Sequence, residues 1–202
     1  YDIWECPPNG QGVIALMLLN IMSGVDKFGD HPLSVDRIHH EIEAGRIAYR
    51  DRNLYLADPE FSDVPVDQML SANYAAAIRA QINPEKAYAD LPPTTLPPHK
   101  HTIYITVVDK DRNACSLINT VFHSFGAGLM TPQSGIVLQC RGQGFVVDPG
   151  HPNCIAPGKR PLHTIIPGMA TKDGKTVMSF GVMGGEYQAF GHMQFLTRLL
   201  DY

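Results

Sequence analysis

The sequence predicts an α+β fold in which helices and strands pack in layers. Residues 1–83 contain apolar and alanine-rich stretches of helical length. Residues 102–182 instead alternate short β-rich runs with glycine turns, and a proline-rich segment over residues 84–101 separates the two textures. Because a helix or a sheet buries its apolar face against another element, we expect the two halves to pack against each other.

The composition is that of a globular protein rather than of a nucleic-acid-binding protein. The chain has 202 residues, 44% of them apolar, with a formal net charge of −4 and a pI near 6.1. This length makes one domain or part of one, and the acidity argues against nucleic acid or an anionic membrane as a partner. The chain opens on Tyr1, so we interpret it as a fragment without a visible leader, whose compartment (cytoplasmic, periplasmic or secreted) is undetermined.

Three helices are predicted before the proline-rich segment. Residues 13–22 are apolar on every face, which indicates a helix buried in a large core. Ser34 is a good N-cap for a helix over residues 35–49, and an alanine-rich run predicts a third helix over residues 66–82. The segment Pro7–Gly12, before the first helix, is interpreted as a tight turn, with a binding loop as the alternative.

Two groups of charged residues in this half are assigned to solvent. Asp51, Arg52 and Asn53 are typical of turns, so we interpret them as part of a solvated loop. Glu41 and Glu43 belong to the second predicted helix, and we expect them on its wetter faces because carboxylates are rarely buried.

The second half predicts five strands and a final helix. Its runs are rich in β-branched and aromatic residues, which favour strands. The sequence Lys172-Asp173-Gly174-Lys175 is a hairpin signal between the last two strands, and residues 186–202 have the apolar spacing of a helix. The predicted strands cover residues 102–109, 113–122, 135–140, 163–171 and 175–182.

The proline-rich segment leads directly into the first of these strands, at Thr102. Prolines lack the backbone N–H and restrict the residue before them, so an exposed segment meets a stiff strand at this threonine. A cut at that point would give Thr102 a free α-amine with a pKa of about 7.7–8.0, able to act as the base for its own hydroxyl. From the pattern alone, Thr102 is more simply interpreted as a strand-entry residue.

Several short motifs occur in order along the chain: Pro7–Gly12, Thr102–Asp109, Gly126-Ala127-Gly128, Gly158-Lys159-Arg160-Pro161 and Gly184-Gly185. Together these motifs resemble the γ-glutamyltranspeptidase family. The resemblance implies an αββα four-layer sandwich of the N-terminal-nucleophile hydrolase type. It also implies a large-subunit region over residues 1–101, a small-subunit region over residues 102–202, and self-cleavage between His101 and Thr102.

The same resemblance assigns four residues to acyl transfer. Thr102 would be the nucleophile, Thr120 would hold its amine, and Gly184 and Gly185 would form the oxyanion hole. The glycine pair follows an apolar strand where a helix begins, so free N–H groups and the helix dipole would point to one spot. The residues alone leave open an ordinary strand-to-helix turn for the glycines and simple β-propensity for Thr120.

The chain departs from the family in the residues that would hold a glutamyl group. Arg141 and Gly144 stand where the family has a glutamine and an aspartate that hold the α-amine, and His163 and Thr164 replace two serines that bind the α-carboxylate. We therefore predict Arg141, His163 and Thr164 as the substrate-binding residues. A free ammonium is disfavoured beside Arg141, whereas a carboxylate or an uncharged acyl group suits it.

The resulting prediction is a self-processing N-terminal threonine amidohydrolase or acyltransferase. It would resemble glutathione hydrolase and cleave γ-glutamyl or related small-molecule amides through an acyl-enzyme. The alternatives are an amidase like the cephalosporin (glutaryl) acylases and an unprocessed, inactive binding or structural protein. No cofactor or metal is expected, since no metal-ligand motif occurs, and neither nucleic acid nor a membrane is an expected partner. The processed chains would form a heterodimer, or a dimer of such heterodimers.

Overall fold

Helices and antiparallel sheets both occur in the computed structural model, which describes residues 1–25, 31–89 and 101–202. This mixture agrees with the predicted α+β class. The helices are α1 (Gly12–Met22), α2 (Val35–Tyr55), α3 (Val66–Met69), α4 (Ala72–Arg79) and α5 (Tyr187–Asp201), with a short 3-10 helix at Arg141–Gly144. The strands are β1 (Asp2–Trp4), β2 (His101–Val108), β3 (Ala114–Phe122), β4 (Gly168–Lys172) and β5 (Lys175–Phe180).

The described strands form two antiparallel sheets. One has the order β1-β4-β5, so the first strand of the chain pairs with a strand from the second half, with Asp2 opposite Thr171. The other is the hairpin of β2 and β3. The predicted hairpin turn is present between β4 and β5, and Asp173 and Gly174 both have positive φ, as its tight turn requires.

Helix α1 lies at the centre of the main core. Its side chains Ile14, Met17, Leu18 and Ile21 are fully buried, and the helix packs against both α2 and α5. A helix that is apolar on every face needs neighbours on every face. The prediction of a buried helix here is confirmed.

Helix α2 corrects two predictions from the sequence. The helix extends to Tyr55, so Asp51 and Arg52 lie inside it and are buried, and the loop interpretation is wrong. Glu41 and Glu43 are also buried instead of lying on wetter faces. Buried charges are stable when they are paired, and hydrophobic periodicity does not reveal such pairs.

Ion pairs account for the buried carboxylates of α2. Glu41 Oε1 forms ion pairs with Arg37 Nε and Arg198 Nη1, each at 3.0 Å. Glu43 receives Arg46 Nη1 at 2.8 Å.

Other differences from the predicted elements have local causes. The predicted helix over 66–82 is two helices, because the Ser71 hydroxyl accepts the N–H of Tyr74 at 3.1 Å and caps α4. The predicted strand over 135–140 is wrong, since Val137 makes only an isolated bridge with Met130. The predicted strand over 163–171 is reduced to β4, and its first residue, His163, bridges Gly10 instead.

The predicted proline-rich segment falls largely outside the described residues, since residues 90–100 are not among them. No helix in the described ranges combines the length and the apolar character that crossing a membrane requires.

Candidate active site

Thr102 lies at the entry of β2, opposite Thr120 of β3. Residues directly opposite in an antiparallel pair present their side chains on the same face. The Thr102 hydroxyl donates to the Thr120 hydroxyl at 3.4 Å. Thr120 Oγ1 also accepts the backbone N–H of Phe122 at 3.0 Å, which holds its hydroxyl in place beside Thr102.

The ladder between the two strands is irregular at the expected cleavage point. Its register shifts between His101 and Thr102, and His101 pairs with Phe122 beyond the shift. An irregularity of this kind interrupts the regular hydrogen bonds of the ladder. The backbone around the His101–Thr102 peptide is thus less tightly paired than the rest of β2.

Tyr104 ties this hairpin to the end of β5. It lies two residues after Thr102, and its hydroxyl bonds to Ser116 at 3.1 Å and to Ser179 at 2.9 Å. Its ring packs on Gly181, where any Cβ would collide with it. Ser116 also donates to the Phe180 carbonyl at 3.3 Å. These contacts anchor the strand of Thr102 to the segment that leads to the glycine pair.

Gly184 and Gly185 form a turn with positive φ, +129° and +57°, and Glu186 alone separates it from α5. The Gly184 carbonyl accepts the N–H of Tyr187 at 3.1 Å, and the Gly185 carbonyl accepts that of Gln188 at 3.3 Å. Within the described part of the chain, neither glycine N–H donates a hydrogen bond. Two free donors therefore stand at the N-terminus of α5, which is the arrangement that stabilises an oxyanion.

The three predicted substrate-binding residues cluster in the structure. Arg141 is only 4% exposed, and its Nη2 donates to the Thr164 hydroxyl at 2.9 Å. Its guanidinium stacks 3.7 Å from the centre of the Phe122 ring. Phe122 thereby connects this cluster to Thr120 and to the start of β2.

The electrostatics of this cluster are cationic. Burial lowers the pKa of Arg141 to about 10, so it stays protonated at neutral pH. Burial and the Arg141 charge lower the pKa of His163 to about 4, so its imidazole is neutral. Among the described residues no carboxylate forms an ion pair with Arg141, and Arg141 Nε has no hydrogen-bond partner. A buried cation without an acid partner suits an anionic ligand.

Two buried residues beside the site were not predicted from the sequence. The Gln11 side chain contacts the carbonyls of Thr164 and Gly185, and Arg52 contacts Gln11. Gln11 belongs to the Pro7–Gly12 motif, which was interpreted chiefly as a turn, so the signal was present. Arg52 carried none, since a buried arginine looks like a surface arginine in a sequence.

In the described ranges no three His, Cys, Asp or Glu side chains are grouped to hold a metal ion.

Comparison with known proteins identifies the family. The family model described as gamma-glutamyltranspeptidase matches residues 1–202. The chain belongs to the γ-glutamyltranspeptidase family. It is 36% identical over 202 residues to the glutathione hydrolase-like YwrD proenzyme of Bacillus subtilis (strain 168), covering 100% of this chain and 38% of that relative. It is 38% identical over 212 residues to a glutathione hydrolase proenzyme of Pseudomonas sp. (strain A14), covering 97% and 36%.

A solved structure supports the fold predicted from the sequence. The crystal structure of cephalosporin acylase from Bacillus halodurans superposes with a TM-score of 0.88 at 42% identity, covering 98% of this chain and 35% of that one. This likeness confirms the predicted fold of the N-terminal-nucleophile hydrolase type. This member of the γ-glutamyltranspeptidase family spans a little over a third of the length of its matched relatives.

Proposed function

We propose that the chain is the nucleophile-bearing part of a self-processing N-terminal threonine amidohydrolase, similar to γ-glutamyltransferases and glutathione hydrolases. The observation that carries the proposal is the 3.4 Å contact between the hydroxyls of Thr102 and Thr120 at the entry of β2. Membership of the family and the description of both curated relatives as proenzymes support it. In this proposal residues 1–101 belong to the large-subunit region and residues 102–202 to the small-subunit region.

Processing would begin with the Thr102 hydroxyl. Its oxygen adds to the carbonyl carbon of His101, and its proton passes to the Thr102 nitrogen as the peptide C–N bond breaks. An ester between His101 and the Thr102 oxygen results. Water then hydrolyses this ester, which leaves a carboxylate on His101 and a free α-amine and hydroxyl on Thr102. The irregular pairing at this peptide supports the cut, because fewer ladder bonds restrain it.

Acyl transfer would use the same hydroxyl after processing. The α-amine of Thr102, with a pKa of about 7.7–8.0, takes the hydroxyl proton as the oxygen attacks the amide carbonyl. The free N–H groups of Gly184 and Gly185 stabilise the oxyanion. The leaving amine takes the proton, and water or a second amine then removes the acyl group from Thr102. Thr120 steadies the nucleophile through its hydroxyl.

The two processed chains would remain together as a heterodimer, alone or as a dimer of heterodimers. Strand β1 pairs with β4 across the proposed cut, and helix α1 packs against α5 across it. The Asp58–Arg160 ion pair also joins the two regions. Cutting one peptide bond removes none of these contacts.

A dicarboxylic acyl donor is the second candidate for the substrate. The buried Arg141 has no acid partner among the described residues, and His163 beside it is neutral. A carboxylate at the end of the acyl group would pair with Arg141, whereas an ammonium would be repelled. The cluster therefore favours a glutaryl-type amide over a γ-glutamyl amide.

Processing tests the proposal directly. The full-length protein is expected to give two bands on a denaturing gel, and the new chain should begin Thr102-Ile103-Tyr104. Thr102→Ala should stay as one chain, whereas the control Thr106→Ala, on the same strand, should be cut normally. A wild-type protein that stays uncut, or a new terminus elsewhere, would overturn the proposal and favour an unprocessed binding protein.

A further inference from the structure

The side chain of Gln11 lies behind the glycine pair and is fully buried. Its Nε2 donates to the Thr164 carbonyl at 2.8 Å and to the Gly185 carbonyl at 3.0 Å. These two carbonyls belong to two parts of the proposed site: the substrate-binding cluster, which includes Thr164, and the turn of Gly184 and Gly185, here called the oxyanion turn. One amide group thus spans the gap between them.

Arg52 determines which way this amide points. Its Nη1 donates to Gln11 Oε1 at 2.9 Å. A guanidinium only donates hydrogen bonds, so it must face the oxygen of the Gln11 amide, and both amide hydrogens then face the two carbonyls. Both amide hydrogens and the amide oxygen are thus engaged, and these partners determine the orientation of the amide.

Arg52 is itself held rigidly. Its Nη1 pairs with the carboxylate of Glu186, the residue directly after the glycine pair. Its guanidinium lies 4.7 Å from the centre of the Tyr49 ring, and the Tyr49 hydroxyl donates to the Glu186 carbonyl. Burial lowers the pKa of Arg52 to about 10, which leaves it charged at neutral pH.

The backbone of Gln11 is fixed as well. Its N–H donates to the His163 carbonyl at 3.0 Å, and the His163 N–H donates to the Asn9 carbonyl at 2.9 Å. The amide therefore projects from a main chain that is already bonded to the segment of Thr164. A side chain fixed at both ends transmits position, because it cannot rotate to relieve a displacement.

The geometry points to Gln11 and Arg52 as positioning residues for the oxyanion turn, a role that rests on the proposed acyl-transfer function. By holding the Gly185 carbonyl, Gln11 restrains the turn whose N–H groups must aim at the reacting oxygen. This carbonyl forms one planar peptide with the Glu186 N–H, and only the two backbone torsions of Gly185 separate that fixed unit from the Gly185 N–H. Neither side chain touches the reacting atoms.

The test compares Gln11→Glu with Asn20→Asp in the full-length processed enzyme. Gln11→Glu keeps the acceptor for Arg52 but loses both donors. Asn20→Asp makes the same change on α1, where Nδ2 donates to the Leu70 carbonyl at 2.9 Å, away from the turn. With a glutaryl or γ-glutamyl anilide, Gln11→Glu should lower kcat about 10²-fold with KM nearly unchanged, as expected for a displaced oxyanion donor. Asn20→Asp should leave kcat near wild type.

Hydrogen exchange gives a second readout that needs no substrate. The N–H groups of Tyr187 and Gln188 bond to the glycine carbonyls, so Gln11→Glu should speed their exchange about tenfold while α1 exchanges as before. An unchanged kcat together with unchanged exchange would overturn the inference, as would exchange accelerated equally throughout the protein. A wild-type enzyme without turnover would refute the proposed function, while exchange would still decide the role of Gln11. If Gln11→Glu does not fold, Arg52→Lys should show the same local acceleration.

Discussion

Arg160 binds the buried carboxylate of Asp58 with three donors, although 102 residues separate them. Its backbone N–H and Nε contact Asp58 Oδ2 at 2.8 and 3.1 Å, and its Nη2 contacts Oδ1 at 2.6 Å. This ion pair holds the Gly158–Pro161 motif, which lies directly before the segment of His163 and Thr164, against the proposed large-subunit region. It therefore links folding, association of the two proposed chains, and placement of the substrate-binding cluster.

The Asp58–Arg160 ion pair should give a distinctive loss of stability in acid. Hydrogen bonds from Arg160 hold the pKa of Asp58 well below its usual range. Because this pKa is lower in the folded state, the ionised carboxylate stabilises the fold above the unfolded-state pKa of about 3.9. This stabilisation is lost as the pH falls toward the folded-state pKa. Thermal melting from pH 7 to pH 2 should show the melting temperature of the wild type falling below about pH 4. Asp58→Asn should melt at a lower temperature than the wild type at pH 7, and its melting temperature should change less in acid.

Asp111→Asn is the control for this comparison. Asp111 pairs with Lys110 on the surface, where both side chains are largely exposed. Exposed pairs contribute little, so this variant should follow the wild-type curve. Equal curves for Asp58→Asn and wild type would show that the Asp58–Arg160 ion pair does not contribute to stability.

Gly184→Ala should damage activity through backbone conformation rather than through a clash. A Cβ at Gly184 would meet Tyr187 at an ordinary 3.5 Å, but the φ of +129° disfavours any residue with a Cβ. The turn should rotate and move its N–H donors, lowering kcat about 10²–10³-fold. Steady-state kinetics with one anilide donor would measure this loss.

Gly174→Ala is the matched control. This glycine also has positive φ, +72°, and no atom lies near its Cβ position at the β4–β5 turn. It should lose stability by about 1–2 kcal/mol but keep its kcat. A normal kcat in Gly184→Ala would mean that the glycine pair is only a turn.

Thr120→Val tests the hydroxyl beside the nucleophile. Valine keeps the branched shape that suits β3 but can neither accept the Phe122 N–H nor contact the Thr102 hydroxyl. Because a hydrogen bond between neutral groups contributes about 0.5–1.5 kcal/mol, kcat should fall by about twofold to tenfold with the fold intact. Thr106→Val, an exposed position on β2, should keep full activity. Similar activities in both variants would remove Thr120 from the mechanism.

The sequence predicted helices and turns of this protein better than it predicted the buried polar contacts. Local signals were sufficient for α1, for the hairpin turn at Asp173-Gly174 and for the glycine pair before α5. They were insufficient for Arg52, because its burial depends on Gln11 and Glu186, which are distant in the chain. Apolar periodicity records which faces meet the core, but an ion pair formed between elements leaves no such pattern.

His163 should make stability fall as the pH falls from about 6.5 to 4. Burial and the neighbouring Arg141 lower its folded-state pKa to about 4, so the unfolded chain binds a proton that the folded protein does not. In that range the free energy of unfolding should fall by up to about 1.4 kcal/mol for each pH unit, and below it His163 should add no further pH dependence. His163→Asn should remove this slope, because asparagine does not titrate. The fold should be kept, because the asparagine Oδ1 can accept the Ile165 N–H that His163 Nδ1 accepts at 3.2 Å. Denaturant unfolding at several pH values would measure it, and identical slopes would contradict it.

Arg141 should decide between acyl donors. Its charge is buried against Phe122 and Thr164, with no acid partner in the described ranges. Both donors carry a carboxylate that can pair with this charge, but the γ-glutamyl donor also carries an ammonium that it repels. At separations near 4 Å such interactions reach about 1–4 kcal/mol, so kcat/KM should favour a glutaryl anilide over the γ-glutamyl anilide by about tenfold or more. Arg141→Gln should move the preference toward the γ-glutamyl donor. A wild-type preference of about tenfold for the γ-glutamyl anilide would mean that this guanidinium does not face the acyl group.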